Sequence, residues 1–357
     1  MKSILSIDGG GIRGIIPLKV LEYIEKQADK QIHELFDVIG GTSTGGIIAL
    51  GLNSKIPGKG KIYQAKELLN FYTNQKDVKR IFKRKWIGQT GNEKDIDEDS
   101  TLEETRETDE PLRRPGIGGP YYQSGSIEKY LQEKFGSNTK MSELQPNPDD
   151  KKPDVTVFGY DIQNDCPYYF NSKKARENPK DDYCVWQAAR ATSAAPTFFP
   201  AAKFSSEPNP PLFVDGGVYI NNPALALLIQ AKDSYPNEEN FIVISLGTGN
   251  LKVSHADCQN AGAIEWLGGG SLLEVMMNGA SETIHRQLQE LVSNNSYSGL
   301  KIPSLNRYER YQQELGENIA MDDTNPKTIE KLVKLGEALI EENKDDLDKL
   351  CDALVGS

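Results

Sequence analysis

Ser43 lies in Gly41-Thr42-Ser43-Thr44-Gly45, directly after the apolar run Leu35-Phe36-Asp37-Val38-Ile39. A Gly-x-Ser-x-Gly stretch between a strand and a helix is one way a fold exposes a serine nucleophile. The turn is too tight for large side chains beside the serine, which gives Gly41 and Gly45 their place. A second cluster, Asp8-Gly9-Gly10-Gly11-Ile12-Arg13-Gly14, stands between a short apolar run and a helical pattern. Consecutive glycines at a helix N-terminus leave N–H groups unshielded at the positive end of the helix dipole, and that suits an anion. The anion is either a phosphate or the oxyanion of an acyl-transfer intermediate, with Arg13 adding charge or bracing the loop.

A serine hydroxyl needs a base. The chain has three histidines, His33, His255 and His285. None is expected at a strand end in a glycine turn. His33 falls just before the second strand, on the edge opposite Ser43. His255 sits in a polar loop beside Asp257, and His285 in a helix expected over 272–291. Asp215 does stand at such a turn: it follows Leu212-Phe213-Val214 and precedes Gly216-Gly217, which leave its carboxylate unobstructed. The ordinary reading of an Asp-Gly pair is a turn former. With Ser43 and the triple glycine in the same chain, Asp215 becomes the best base. A carboxylate with a pKa of about 4 is weak for this work. Burial beside Ala194-Ala195-Pro196-Thr197-Phe198-Phe199-Pro200 and Phe213 would raise its basicity.

The phosphate reading makes demands that the sequence does not meet. Gly9, Gly11 and Gly14 fit Gly-x-Gly-x-x-Gly, but a dinucleotide site also wants an acid about 20 residues on, at the end of the second strand. Asp37 lies inside that strand, which ends instead in Gly40-Gly41-Thr42-Ser43, and no Gly-Lys-Ser/Thr follows the glycines.

The elements that must position these residues are legible in outline. Residues 4–7 read as a buried strand, followed by a helix from about 17 to 30 with Pro17 early in it. Residues 36–39 form the second strand, and Ile47-Ile48-Ala49-Leu50 opens a buried helix after the serine. Strand, turn and helix twice over predict an α/β fold with a mainly parallel sheet and helices on its faces. Strands are expected at 155–160, 167–170, 212–214 and 241–244, a helix capped by Asp182 through Ala191, and an amphipathic helix carrying Ile329, Leu332, Val333, Gly336, Leu339 and Ile340. The stretch from Lys66 to Trp86 reads as helical and then basic. It is either a solvated helix end or an interfacial patch for lipid headgroups, with Lys79, Arg80, Phe82, Lys83, Arg84 and Trp86 as its contacts. Residues 92–110 are rich in Asp and Glu and read as a flexible loop. The sheet is expected to run through residues 1–357 as one domain.

Over 357 residues the formal charge is -11, and the hydrophobic content is 37%. The acidic balance argues against nucleic-acid binding and confines any contact with anionic membrane to local patches. Four widely spaced cysteines, Cys166, Cys184, Cys258 and Cys351, read as reduced, with no metal site. No signal peptide and no stretch long enough to span a bilayer is read. The expectation is a cytoplasmic protein that acts at membrane surfaces, with non-classical export left open.

The three glycine-flanked motifs, in this order, resemble those of the patatin-like phospholipases, and the plant patatins in particular. Thr192-Ser193-Ala194-Ala195-Pro196, Asn221-Asn222-Pro223, Ser245-Leu246-Gly247-Thr248-Gly249 and Met321-Asp322-Asp323 extend the resemblance over nearly the whole chain. The resemblance implies a three-layer α/β/α sandwich and a Ser43–Asp215 dyad without histidine. It implies an oxyanion hole in the Gly9–Gly14 loop, with Gly10 and Gly11 as leading donors. It further implies hydrolysis of membrane glycerolipid esters through an acyl-serine, with no cofactor. Two alternatives stay open: an acyltransferase on the same dyad, and a non-catalytic lipid- or nucleotide-binding module. A regulatory ligand or partner is also expected, because an uncontrolled lipase damages its host's membranes.

Overall fold

The structure is a computed structural model that describes residues 1–84, 119–144, 153–205, 208–251, 271–293 and 305–356. Seven strands make its central sheet: β1 (Lys2–Ile7), β2 (Val38–Thr42), β3 (Asp154–Asp161), β4 (Cys166–Asn171), β5 (Phe213–Asp215), β6 (Phe241–Leu246) and β7 (Leu305–Tyr311). Their order is β4-β3-β2-β1-β6-β7, with β5 also paired to β3. The pairs β1–β2, β1–β6, β2–β3 and β6–β7 are parallel, while β4 and β5 run antiparallel to β3.

The central strands are apolar along their length because each serves two cores at once. In β1 and β6, Leu5, Ile7, Ile244 and Leu246 face one core, and Ile4, Phe241 and Val243 face the other. The first core is covered by α1 (Ile15–Ala28), α3 (Thr44–Gly51), α4 (Ala65–Thr73), α6 (Ser124–Phe135), α8 (Val185–Thr192), α11 (Pro326–Glu342) and α12 (Lys344–Val355). The second lies under α9 (Ala224–Ser234) and α10 (Ser271–Ser293). Short helices α2 (Ile32–Leu35), α5 (Gln75–Ile81) and α7 (Ser172–Glu177) complete the set. The chain is therefore a three-layer α/β/α sandwich around a mostly parallel sheet, as the sequence predicts.

Local departures have local causes. The stretch after Lys66, read as helical and then basic, forms two helices that part at Asn74, whose side chain accepts from the Lys76 N–H at 2.9 Å and so starts α5 afresh. Asp182 does not cap α8. It accepts instead from the Ser142 backbone and hydroxyl, at 3.0 and 2.8 Å, while Cys184 and Gln187 close the helix start. Strand β7, of sequence LNRYERY, and helix α12 are elements for which the sequence reading made no provision. The acidic stretch 92–110, His255, Cys258 and Trp86 lie outside the described residues.

Candidate active site

Register along β3 decides how the serine and the aspartate meet. β4 occupies one edge of β3 over residues 156–161, so β2 and β5 share the other edge. β2 covers it as far as Phe158, which pairs with Thr42, and then the chain leaves the sheet at Ser43. β5 arrives from the opposite direction and takes up the vacated edge, with Asp215 opposite Gly159. The last residue of β5 is thereby delivered beside the residue that follows the end of β2.

Ser43 sits at the N-cap of α3 with φ 55° and ψ -125°. This is a strained backbone for a side chain, of the kind held only where the surroundings impose it. Here β1 imposes it. A Cβ on Gly45 would land on the carbonyl oxygens of Ile7 and Asp8, and one on Gly41 would land on Gly45 itself. The elbow is thus pressed against the sheet with no room for side chains. The Ser43 N–H donates to Thr192 Oγ1 at 2.9 Å, and that hydroxyl donates to Phe158 O at 2.6 Å.

Asp215 is buried. Its Oδ1 accepts from the Gly217 N–H at 2.7 Å, and the Ser43 hydroxyl hydrogen-bonds to the carboxylate. Burial pushes its pKa up to about 7, against the opposing pull of those two hydrogen bonds. A Cβ on Gly216 would meet Phe158 O, so this turn, like the elbow, is set against β3.

The glycine loop divides its duties. The Gly9 N–H is occupied, donating to Asn221 O at 3.2 Å, and the Gly9 carbonyl accepts from Thr248 Oγ1 at 2.6 Å. Arg13 turns inward as a brace: its backbone N–H and side chain both reach Gly10 O, and its guanidinium pairs with Glu274 of α10 at 3.3 Å. Gly14 packs on Thr44 Oγ1, which fixes α1 against α3. Gly11 has φ +58° and lies against Met321 O, which accepts from the Ile12 N–H at 2.8 Å. Among the described residues, the N–H groups of Gly10 and Gly11 are left without a protein acceptor, and Gly11 lines the cleft beside Ser43.

That cleft has a volume of about 820 Å³, its open mouth included. Ser43, Asp215 and Gly217 line it together with Ile47, Phe71, Phe82, Tyr130, Leu131, Phe198 and Met277, so most of its lining side chains are apolar. Among the described residues no cluster of three or more His, Cys, Asp or Glu is placed to hold a metal, and no helix is long and apolar enough to cross a membrane.

Neither described histidine reaches the serine. His33 is in α2, at the amino end of β2, with the whole strand between it and Ser43. His285 is on α10, its Nδ1 at 3.0 Å from the Tyr308 hydroxyl. It belongs to a buried polar layer behind the glycine loop. There Arg310 of β7 donates to both oxygens of Asp8, at 3.2 and 2.6 Å, and Ser281 donates to Asp8 at 3.3 Å. Burial holds the Asp8 carboxyl above its usual range in spite of Arg310. Sequence reading assigned no role to Asp8, Ser281, Arg310 or Thr192. Arg310 stands near the end of β7, a strand the sequence reading did not see, so no local signal located it.

The basic stretch is split in its roles. Arg80 makes a two-pronged pair with Glu133, at 2.7 Å to each oxygen, while Phe82 meets Tyr122 edge-on and lies tilted against Phe199, beside which it lines the cleft. Lys79, Lys83 and Arg84 remain exposed.

Comparison with known proteins matches these features to one family. The model of patatin-like phospholipases fits residues 5–228, from β1 into α9. Patatin-like protein 2 of Oryza sativa subsp. indica is 29% identical over 381 residues, covering 98% of this chain and 86% of its own. Patatin-like protein 2 of Arabidopsis thaliana is 30% identical over 292 residues, 74% of this chain and 65% of its own. Patatin-17 of Solanum cardiophyllum is 28% identical over 371 residues, 95% and 84% respectively. Among solved structures, VipD from Legionella pneumophila overlaps 96% of this chain and 67% of its own, at a TM-score of 0.36 and 11% identity, a distant likeness. With its sandwich fold and a family match that runs from β1 past Asp215, the chain belongs to the patatin-like phospholipases, a family of lipid acyl hydrolases.

Proposed function

We propose that this protein hydrolyses fatty-acyl esters of membrane glycerolipids, with Ser43 as nucleophile, Asp215 as base and the N–H groups of Gly10 and Gly11 as oxyanion donors. The observation that carries the reading is the meeting of a strained serine and a buried, basic aspartate in the lining of a mostly apolar cleft. In the first half-reaction Ser43 Oγ bonds to the acyl carbon as its proton passes to Asp215. The tetrahedral oxyanion is held by the free N–H groups, and its collapse expels the glycerol oxygen, which takes the proton back from Asp215. In the second half-reaction water adds to the acyl-serine. Its proton goes to Asp215 and then to the departing Ser43 oxygen, releasing the fatty acid. The cleft walls take the acyl chain, and the chemistry uses only side chains and backbone.

The exposed cations Lys79, Lys83 and Arg84 supply a local attraction for lipid phosphates on an otherwise acidic protein. Arg80 and Phe82 are withdrawn from that role by Glu133 and by the cleft.

The reading is tested on mixed phospholipid and galactolipid liposomes, with released fatty acid and every acyl-transfer product read by mass spectrometry. Ser43→Ala and Asp215→Asn are each expected to lower release by roughly a thousandfold or more. A fluorophosphonate probe should label Ser43 in the wild type. Release unchanged in both variants would sink the dyad, and an acyl-alcohol product in place of free acid would turn the reading to acyl transfer.

A further inference from the structure

We propose that the amino-terminal edge of α10 is a lipid-docking surface, with Leu272 and Met276 entering the bilayer beside the mouth of the cleft. The inference rests on the reading of the cleft as an acyl-ester site.

The inner face of α10 is committed to the site. Glu274 pairs with Arg13, Met277 packs beside Gly217, and Ser281 donates to Asp8 and accepts from Asn221. These contacts hold the first turns of the helix over the glycine loop and the base turn. Leu273 and Met277 line the cleft, yet their chain neighbours Leu272 and Met276 are 38% and 48% exposed. Past the cleft the outward positions change character: Glu282, Thr283, Arg286, Gln287 and Glu290 are all exposed and polar. The outer face is therefore apolar only where it borders the cleft. Among the described residues the other large apolar side chains at such exposure, Met1, Ile162, Ile229 and Val355, each stand alone. A leucine and a methionine one turn apart form a stripe, the pattern by which an interfacial helix enters a membrane surface.

Charge selects the occupant. Ile81 and Phe82 line the cleft, and the next residues, Lys83 and Arg84, are exposed cations in a chain of net charge -11. Glu274, the acid nearest the stripe, is neutralised by Arg13. An apolar edge and a pair of exposed cations, Arg84 also reaching the Tyr122 hydroxyl, match at one cleft a layer of phosphates above hydrocarbon.

The test compares wild type, Leu272→Asp/Met276→Asp, Met276→Trp and, as a control at another exposed apolar residue, Ile229→Asp. Three readouts are taken: co-sedimentation with phosphatidylcholine–phosphatidylglycerol vesicles, fatty-acid release from the same vesicles, and hydrolysis of dissolved p-nitrophenyl butyrate. The double variant should lose roughly tenfold or more in vesicle binding and release while butyrate hydrolysis holds. Met276→Trp should gain binding, and Ile229→Asp should change neither. Vesicle binding unaltered by the double variant, or a parallel fall in butyrate hydrolysis, would overturn the proposal. So would a wild-type dimer that the double variant dissolves, since the stripe would then belong to a second copy. A wild type that binds vesicles through this edge but hydrolyses neither substrate would keep the docking surface and remove the dyad.

Discussion

Asp215 carries two consequences of one physical fact. Its carboxylate is pushed up to about 7 by burial, so near neutral pH it is half ionised and basic enough to assist a serine. Hydrolysis of a soluble ester should therefore fall about tenfold per pH unit below pH 7, as protons occupy the base. The same shift bears on stability. The folded-state pKa lies above the ordinary 3.8, so the folded protein disfavours the charged form. The cost is absent below about pH 4, grows as pH rises, and is complete above pH 7 at on the order of 4 kcal/mol. Asp215→Asn removes it. That variant should melt above the wild type at pH 8, with the difference closing towards pH 4 in calorimetry, while activity is lost. A proposed base that destabilises its own fold at working pH is the signature sought in that pair of measurements.

At the scale of elements, the site depends on who occupies the edge of β3. The sequence showed two strands ending in glycine turns, but not that one runs parallel and the other antiparallel to β3, sharing its edge end to end. Helix starts supply a second case. Glu25 of α1 accepts from the Ile32 N–H at 3.2 Å and the Ala65 N–H at 2.8 Å, the first residues of α2 and α4. One carboxylate thus satisfies two helix N-termini that neither local sequence satisfies at that position. Glu25→Ala should cost about 1–2 kcal/mol in chemical denaturation and leave ester hydrolysis near wild type, because Glu25 lies outside the cleft. The stretch from Lys66 to Trp86, read as helical and then basic, teaches the converse. A single Asn74 side chain bonding to the Lys76 N–H was enough to divide its helical part into two.

At the scale of the molecule, Asp8, at the end of β1, is joined to Ser281 of α10 and Arg310 of β7, some 270 and 300 residues further along the chain. Arg310 and Asp8 are both almost fully buried, at 5% and 2% side-chain exposure. Removing one partner strands the other in the interior. Arg310→Met should cost about 3–5 kcal/mol, and the double change Asp8→Asn/Arg310→Met should recover part of that loss, both read from denaturation curves. Since Asp8 is joined directly to Gly9, the single variant should also slow fluorophosphonate labelling of Ser43 through the displaced glycine loop.

What could be read from residues alone was whatever short-range geometry forces. Ser43 and its glycines announce themselves because a tight strand-to-helix turn excludes side chains. The triple glycine does so because only bare backbone offers adjacent N–H donors. Strand, turn and helix twice over at the start of the chain pointed to a parallel sheet with helices on its faces, and the family resemblance implied the three-layer sandwich. Asp215 was selected by its turn, with no histidine in a rival position. Only the tertiary structure decided the rest: that Gly9 spends its N–H on Asn221, that Arg13 braces α10, and that Phe82 faces the cleft. It alone found β7, whose Asn, Arg and Glu obscure strand alternation at the edge of the sheet, and the Asp8–Arg310 pair. These features depend on which distant groups become neighbours, and a charge in a strand or a glycine in a loop carries no local mark of the partner that folding will bring to it.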